Sequence, residues 1–167
     1  MHTEIVAANS LCTALYHDIL IPNALPLNLA KFVFLDGRAY GFFLDWDEVA
    51  DATVESLRAT SARHPLDGAL TDLVDELATR SEAFAKKWAR HNVRIHRTGR
   101  KRLHNPVVGD IELNADALEL PADGLTLIAY TADPASAAEE QLAILSSWTP
   151  RGTDTASPHD TRPQRAR

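Results

Sequence analysis

Residues 103–134 read LHNPVVGDIELNADALELPADGLTLIAYTADP. In the middle of this stretch Ile111 and Leu113 alternate with Glu112 and Asn114, and the same period carries on through Leu118 and Leu120. A period of two marks a strand with one face on a core. Residues 107–110 and 121–124, each with a glycine, break the run as turns. Residues 125–131 make the strongest predicted strand of the chain, with Leu127 and Ala129 on one side and Thr126, Ile128 and Tyr130 on the other. Strands joined by turns this short are antiparallel. Before them, Leu103 lies in an extended run ending at Asn105-Pro106. Earlier still, Val93 and Ile95 alternate with Arg94 and His96, and Thr98-Gly99 reads as the turn between these runs.

Outward from this cluster the period changes to 3.6. Residues 134–148 form a predicted last helix, with Pro134 in its first turn and Leu142, Leu145 and Trp148 as its apolar stripe. On the N-terminal side, Ser81 and Glu82 open a helix with Phe84, Trp88 and His91 on one side. Residues 68–79 bury Leu70, Leu73, Val74 and Leu77. Residues 47–62 present Val49, Ala50, Val54 and Leu57 just after Trp46, and His64-Pro65 ends that helix. Asn28 caps a short helix over residues 29–35, and the aromatic run Phe42, Phe43, Leu44, Trp46 reads as core packing. Residues 3–8 read as a strand, followed by a helix capped by Asn9 that reaches about Tyr16. That first strand needs a partner, so it is expected to join the late strands in one sheet. The fold class read from this order is α+β: an antiparallel sheet, helices over one face, and a C-terminal helix. Residues 1–148 form the domain. Residues 149–167, rich in Pro, Thr, Arg, Asp and Ser, are expected to be a disordered tail. A strand opening at the third residue leads us to expect that a preceding segment is missing.

The chain has 167 residues, 45% hydrophobic and 24% charged, enough for one proper core. Its net charge of -6 argues against a free-standing nucleic-acid binder. The single cysteine, Cys12, excludes an intrachain disulfide and a thiolate zinc cluster, and fits a reducing cytoplasm. No apolar run approaches the ~20 residues of a membrane span, and the N-terminus has no signal-peptide pattern. There is no GxGxxG, P-loop or GxSxG. His91, His96 and His104 lack a metal-ligand spacing, so neither a metal nor a cofactor is expected.

Charge is segregated. From Lys86 to Arg102 every charged residue is basic, whereas the helices before this run are acidic. This basic stretch has three readings. It is a solvated face balanced by the acidic helices. It is a docking surface for a partner, in which Arg100, Lys101 and Arg102 take part. Or one or two of its cations turn inward to hold an anionic head group, a task the Arg fork suits.

The runs WARHNV at 88–93, GRKRLHNPVVG at 99–109, LELP at 118–121 and LIAYTADP at 127–134 resemble the ligand-binding domain of MmyB-like transcription regulators. Residues 6–9, 28–34 and 45–46 agree in kind and order. The resemblance implies a PAS-like fold enclosing an apolar cavity. It also implies an XRE-type regulator with an N-terminal helix-turn-helix, and a fatty-acid-like ligand. The helix-turn-helix is not in this sequence, so DNA contact is expected only through a separate module. Residue type suggests Phe32, Phe43, Trp46, Trp88 and Tyr130 for the apolar lining, and Arg90, His91, Arg97 and His104 for the polar end.

Three functions follow. The first is a cytoplasmic sensor of a small apolar or fatty-acid-like molecule that controls transcription, with no catalytic residue. The second is an interaction protein, forming a homodimer or pairing with a full-length helix-turn-helix regulator. The third is a small enzyme using His91 or His104 as general base.

Overall fold

Four polar side chains set where helices begin. Asn9 Oδ1 accepts from the Cys12 amide at 2.7 Å, Asn28 Oδ1 from Lys31 at 3.0 Å, Asp67 Oδ1 from Leu70 at 3.1 Å and Ser81 Oγ from Phe84 at 3.2 Å. Each satisfies one of the amides that a helix start leaves without a partner. The computed structural model describes residues 3–20, 25–90, 98–122 and 124–148. In chain order its elements are β1 (Glu4–Ile5), α1 (Ser10–Leu15), β2 (Leu27–Asn28), α2 (Leu29–Leu35), α3 (Ala39–Phe42), α4 (Trp46–Arg63), α5 (Gly68–Arg80), α6 (Glu82–Ala89), β3 (Thr98–Asn105), β4 (Gly109–Leu120), β5 (Leu125–Thr131) and α7 (Ala137–Trp148). This is the α+β class expected, with antiparallel pairing throughout and a helix at the end. Residues 91–97, with the strand expected there, and the expected disordered tail 149–167 lie outside the described residues.

The helices α2, α4, α5 and α6 pack on one another around Val33, Leu57, Leu70, Leu77 and Phe84, all buried. Phe34, Phe84, Trp46 and Trp88 form an aromatic spine there. Phe34 meets Phe84 edge-on at 5.0 Å, and Phe84 stacks on Trp88 at 5.4 Å. Lys87, buried among these rings, reaches Asp47 and Asp51 at 2.8 and 2.6 Å and so ties α6 to α4. The Trp46 indole donates to the Val33 carbonyl at 2.9 Å, giving the buried N–H its partner.

The sheet has the order β3-β4-β5. Gly109, at φ +74, opens β4 after a tight turn, in a backbone state that suits glycine. Fully buried Asn105 secures this turn. Its amide donates to the Ala14 and Leu15 carbonyls of α1, and its carbonyl oxygen accepts from the Val107 and Val108 amides. Helix α7 closes the same end: Gln141 donates to the Val108 and Asp110 carbonyls at 2.8 and 3.0 Å, and the helix packs on α1.

Three expectations change. β1 does not join the late strands; it pairs with β2, with Glu4 opposite Asn28 and Ile5 opposite Leu27. The outer edge of β3 is already engaged by the segment after α3, through the Phe43–Leu103 bridge and the Leu44 amide on the Arg102 carbonyl. Thr98-Gly99 is not a turn but the start of β3, held by pairing with Asp116 and Ala115. Pro134 precedes α7 rather than sitting in its first turn, because Ala135 at φ +58 breaks the path. Ser136 then caps the helix, accepting at Oγ from the Glu139 amide, and Glu139 Oε2 accepts from the amide of Ala135, one residue before the cap.

Candidate ligand site on the core face of the sheet

Successive residues of a strand point to opposite faces, so register tells which side each occupies. Leu103, Ile111 and Leu113 are buried and define the core face. Pairing then places rows across that face. Leu103 lies opposite Ile111 and Lys101 opposite Leu113; Gly99, Ala115 and Tyr130 line up; and Ala117 lies opposite Ile128. The first rows are under the helices. Burial fades along the strip, and Ile128, on the core side, is exposed. In the preceding row, across β4 on β3, a Cβ built on Gly99 would meet nothing within 4 Å among the described residues. Among the described residues the core therefore opens at this end onto an apolar sheet surface.

One wall of the opening is polar. The Tyr16 hydroxyl lies 2.6 Å from the Tyr130 hydroxyl, joining the end of α1 to β5. The Tyr16 ring also packs on Phe42 at 4.9 Å, and Phe42 on Phe43 at 4.8 Å. Burial pushes the Tyr16 hydroxyl well above the ordinary tyrosine range, with the field of Tyr130 and its hydrogen bond adding to the shift. Burial also raises Tyr130, against its hydrogen bond to Tyr16. Both hydroxyls are thus neutral, and each is able to donate or accept. Burial raises the nearby Cys12 thiol too, which leaves it a poor nucleophile. On β3, Lys101 is half-buried on the core face, and burial draws its pKa below the ordinary lysine range against the fields of Glu48 and Asp45.

The residues expected to bind the ligand fall into separate places. Phe32 and Phe43 are buried and pack edge to face at 6.1 Å, next to the Tyr16–Tyr130 wall. Trp46 and Trp88 belong to the other cluster, the spine among the helices. Tyr130 lines the opening. Arg90 is exposed just past α6. His91 and Arg97 lie outside the described residues. His104, expected at the polar end of the ligand site, is half-exposed on the outer face of the sheet and pairs with Asp110 at 2.7 Å. Alternation is the reason: Leu103 is core-facing, so its neighbour His104 must face away.

The same alternation splits the expected docking trio. Arg100 and Arg102 face outward and are engaged within the chain, Arg100 by Glu112 and Asp133 and Arg102 by Asp45 at 3.0 Å. Lys101 points the other way. Two surface hollows of about 270 Å³ are present. One is lined by Arg100, Glu112, Asp133 and Gln141, the other by Lys31, Asp72 and Glu76. Neither is lined by any of the expected ligand residues. Sequence reasoning missed Tyr16, Gly99, Lys101 as an inward residue, and Ile128. The period of two running back from Leu103 through Lys101 to Gly99 carried part of that signal.

The family described as MmyB-like transcription regulator ligand binding domain matches residues 1–145. No curated protein matches the chain.

Proposed function

Because the chain belongs to the family of MmyB-like transcription regulator ligand-binding domains, we propose that it senses a small apolar or fatty-acid-like molecule held on the core face of its sheet. The regulator is of the XRE type and works in the cytoplasm, and contact with DNA is made by a helix-turn-helix module. The chain acts by binding and not by catalysis. The observation that carries the ligand reading is that Ala117 and the exposed Ile128 continue the core face past the helices, and that among the described residues nothing fills the space over Gly99 in the preceding row. Covering apolar surface of this kind stabilises a complex by about 25 cal/mol per Å² before ordering costs. A ligand seated there alters transcription only if it binds one arrangement of the regulator better than the other. The enzyme reading loses support from His104, which faces away from this opening. Native mass spectrometry of the protein purified from cells, followed by a fatty-acid binding panel, is the test. A co-purifying lipid or saturable binding is expected; neither one appearing would end this reading.

A second function, pairing with another copy, is favoured by a different observation. Leu118, Leu120, Leu125 and Leu127 stand on the outward face of the β4–β5 hairpin, 42–55% exposed. Leu118 is opposite Leu127 and Leu120 opposite Leu125, a compact patch that suits the self-complementary contact of a two-fold dimer. Light scattering after size exclusion is expected to show a dimer that Leu118→Lys with Leu127→Lys makes monomeric. A wild-type monomer at every concentration would dismiss it.

A further inference from the structure

We infer that Lys101 is the anchor for an anionic head group, and that the ligand is an amphiphile whose acid lies at Lys101 and whose apolar part runs toward Ile128. This rests on the ligand reading above and deepens it. Lys101 differs from the two cations beside it. Arg100 and Arg102 are exposed and paired with carboxylates. Lys101 is half-buried on the core face, and its side chain makes no ion pair or hydrogen bond among the described residues. A partly desolvated ammonium without a counter-ion is costly, and an incoming anion relieves that cost. Of the nearest carboxylates, Asp45 is already held by Arg102, and Glu48 is exposed on the first turn of α4. Both act on Lys101 through their field and neither reaches ion-pair distance.

Geometry supplies the rest. On the same face, one step along β3, Gly99 leaves space that no described residue fills, where any larger residue would project a side chain. The next rows, Ala115 with Tyr130 and Ala117 with Ile128, extend an apolar floor away from the ammonium. Rows on one face of a strand are about 7 Å apart, so the floor from the Lys101 row to the Ala117 row spans about 14 Å. A head group at Lys101 therefore sits at one end of an apolar run, with the Tyr16–Tyr130 hydroxyls along its side.

The experiment compares dodecanoate with dodecan-1-ol, two probes with the same chain and different head groups, by calorimetry on the full chain. Wild type is expected to bind the acid at least tenfold more tightly than the alcohol. Lys101→Met is expected to bring the acid down to the level of the alcohol while leaving the alcohol unchanged, and Lys101→Arg to keep the acid preference. Gly99→Leu fills the open space and is expected to weaken both probes at least tenfold, with no loss in the apoprotein's thermal midpoint. Equal affinity of wild type for acid and alcohol, or an acid preference that survives Lys101→Met, overturns the anchor and leaves the ligand reading standing. Binding of neither probe, with no other ligand found on the protein, removes both together.

Discussion

Tyr16 and Tyr130 lie 114 positions apart and meet through a single hydrogen bond. Replacing one partner leaves a buried hydroxyl unsatisfied, so Tyr130→Phe is expected to cost about 1–2 kcal/mol in urea denaturation. Adding Tyr16→Phe is expected to cost less than a second such loss, because both polar groups are then gone. The pair also sets a pH dependence. Both hydroxyls hold their protons above the ordinary value of 10.0, at which the unfolded chain titrates. Their contribution is complete below that pH and is lost as pH rises through the folded values. Stability of wild type is expected to fall steeply above pH 10, and that of the double Phe variant more gently. Asn105 is the other decisive residue. Its four hydrogen bonds join α1 to the β3–β4 turn from a fully buried position. Asn105→Ala is expected to cost about 3 kcal/mol, read by the same denaturation, since several backbone groups lose partners at once.

The elements show where local pattern sufficed. The cap at Asn28 and the helix it starts agree with the reading of residues 29–35, because the signal lies within one turn of chain. The helix of residues 68–79 and the strand of 125–131 were likewise legible from their own spacing. Element ends were less so: α7 begins three residues after Pro134, where Ala135 turns the backbone to positive φ. The bundle of α2, α4, α5 and α6 depends on the aromatic spine more than on any one helix. Phe84 is fully buried and touches both Phe34 and Trp88. Phe84→Ala is expected to destabilise the protein by about 3–5 kcal/mol, and the loss is to be read from chemical denaturation followed by tryptophan fluorescence. Trp46 and Trp88 belong to the spine, so the fluorescence of the folded state is expected to change as well.

For the whole molecule, the ligand reading has a thermodynamic consequence. A molecule bound only by the folded state at a hundred times its dissociation constant stabilises it by about 2.7 kcal/mol. In a domain of this size each kcal/mol is worth about 2–4 °C, so a shift of roughly 5–10 °C is expected in a thermal scan with the true ligand. No helix among the described residues is long and apolar enough to cross a membrane. Within the basic run the sheet sends Arg100 and Arg102 to one face and Lys101 to the other, so these three described cations do not share one surface.

Composition, period and motif order were enough for the fold class, most helices, the strongest strand and the family, because each is written in short-range spacing or in an ordered set of local runs. The candidate site was not legible in the same way. It depends on which strand edge was free for β1, on the register that turns Lys101 and Tyr130 inward and His104 outward, and on where the helices stop covering the sheet. Those are outcomes of pairing between residues distant in the chain, and a shift of one position in register would reverse every one of those faces.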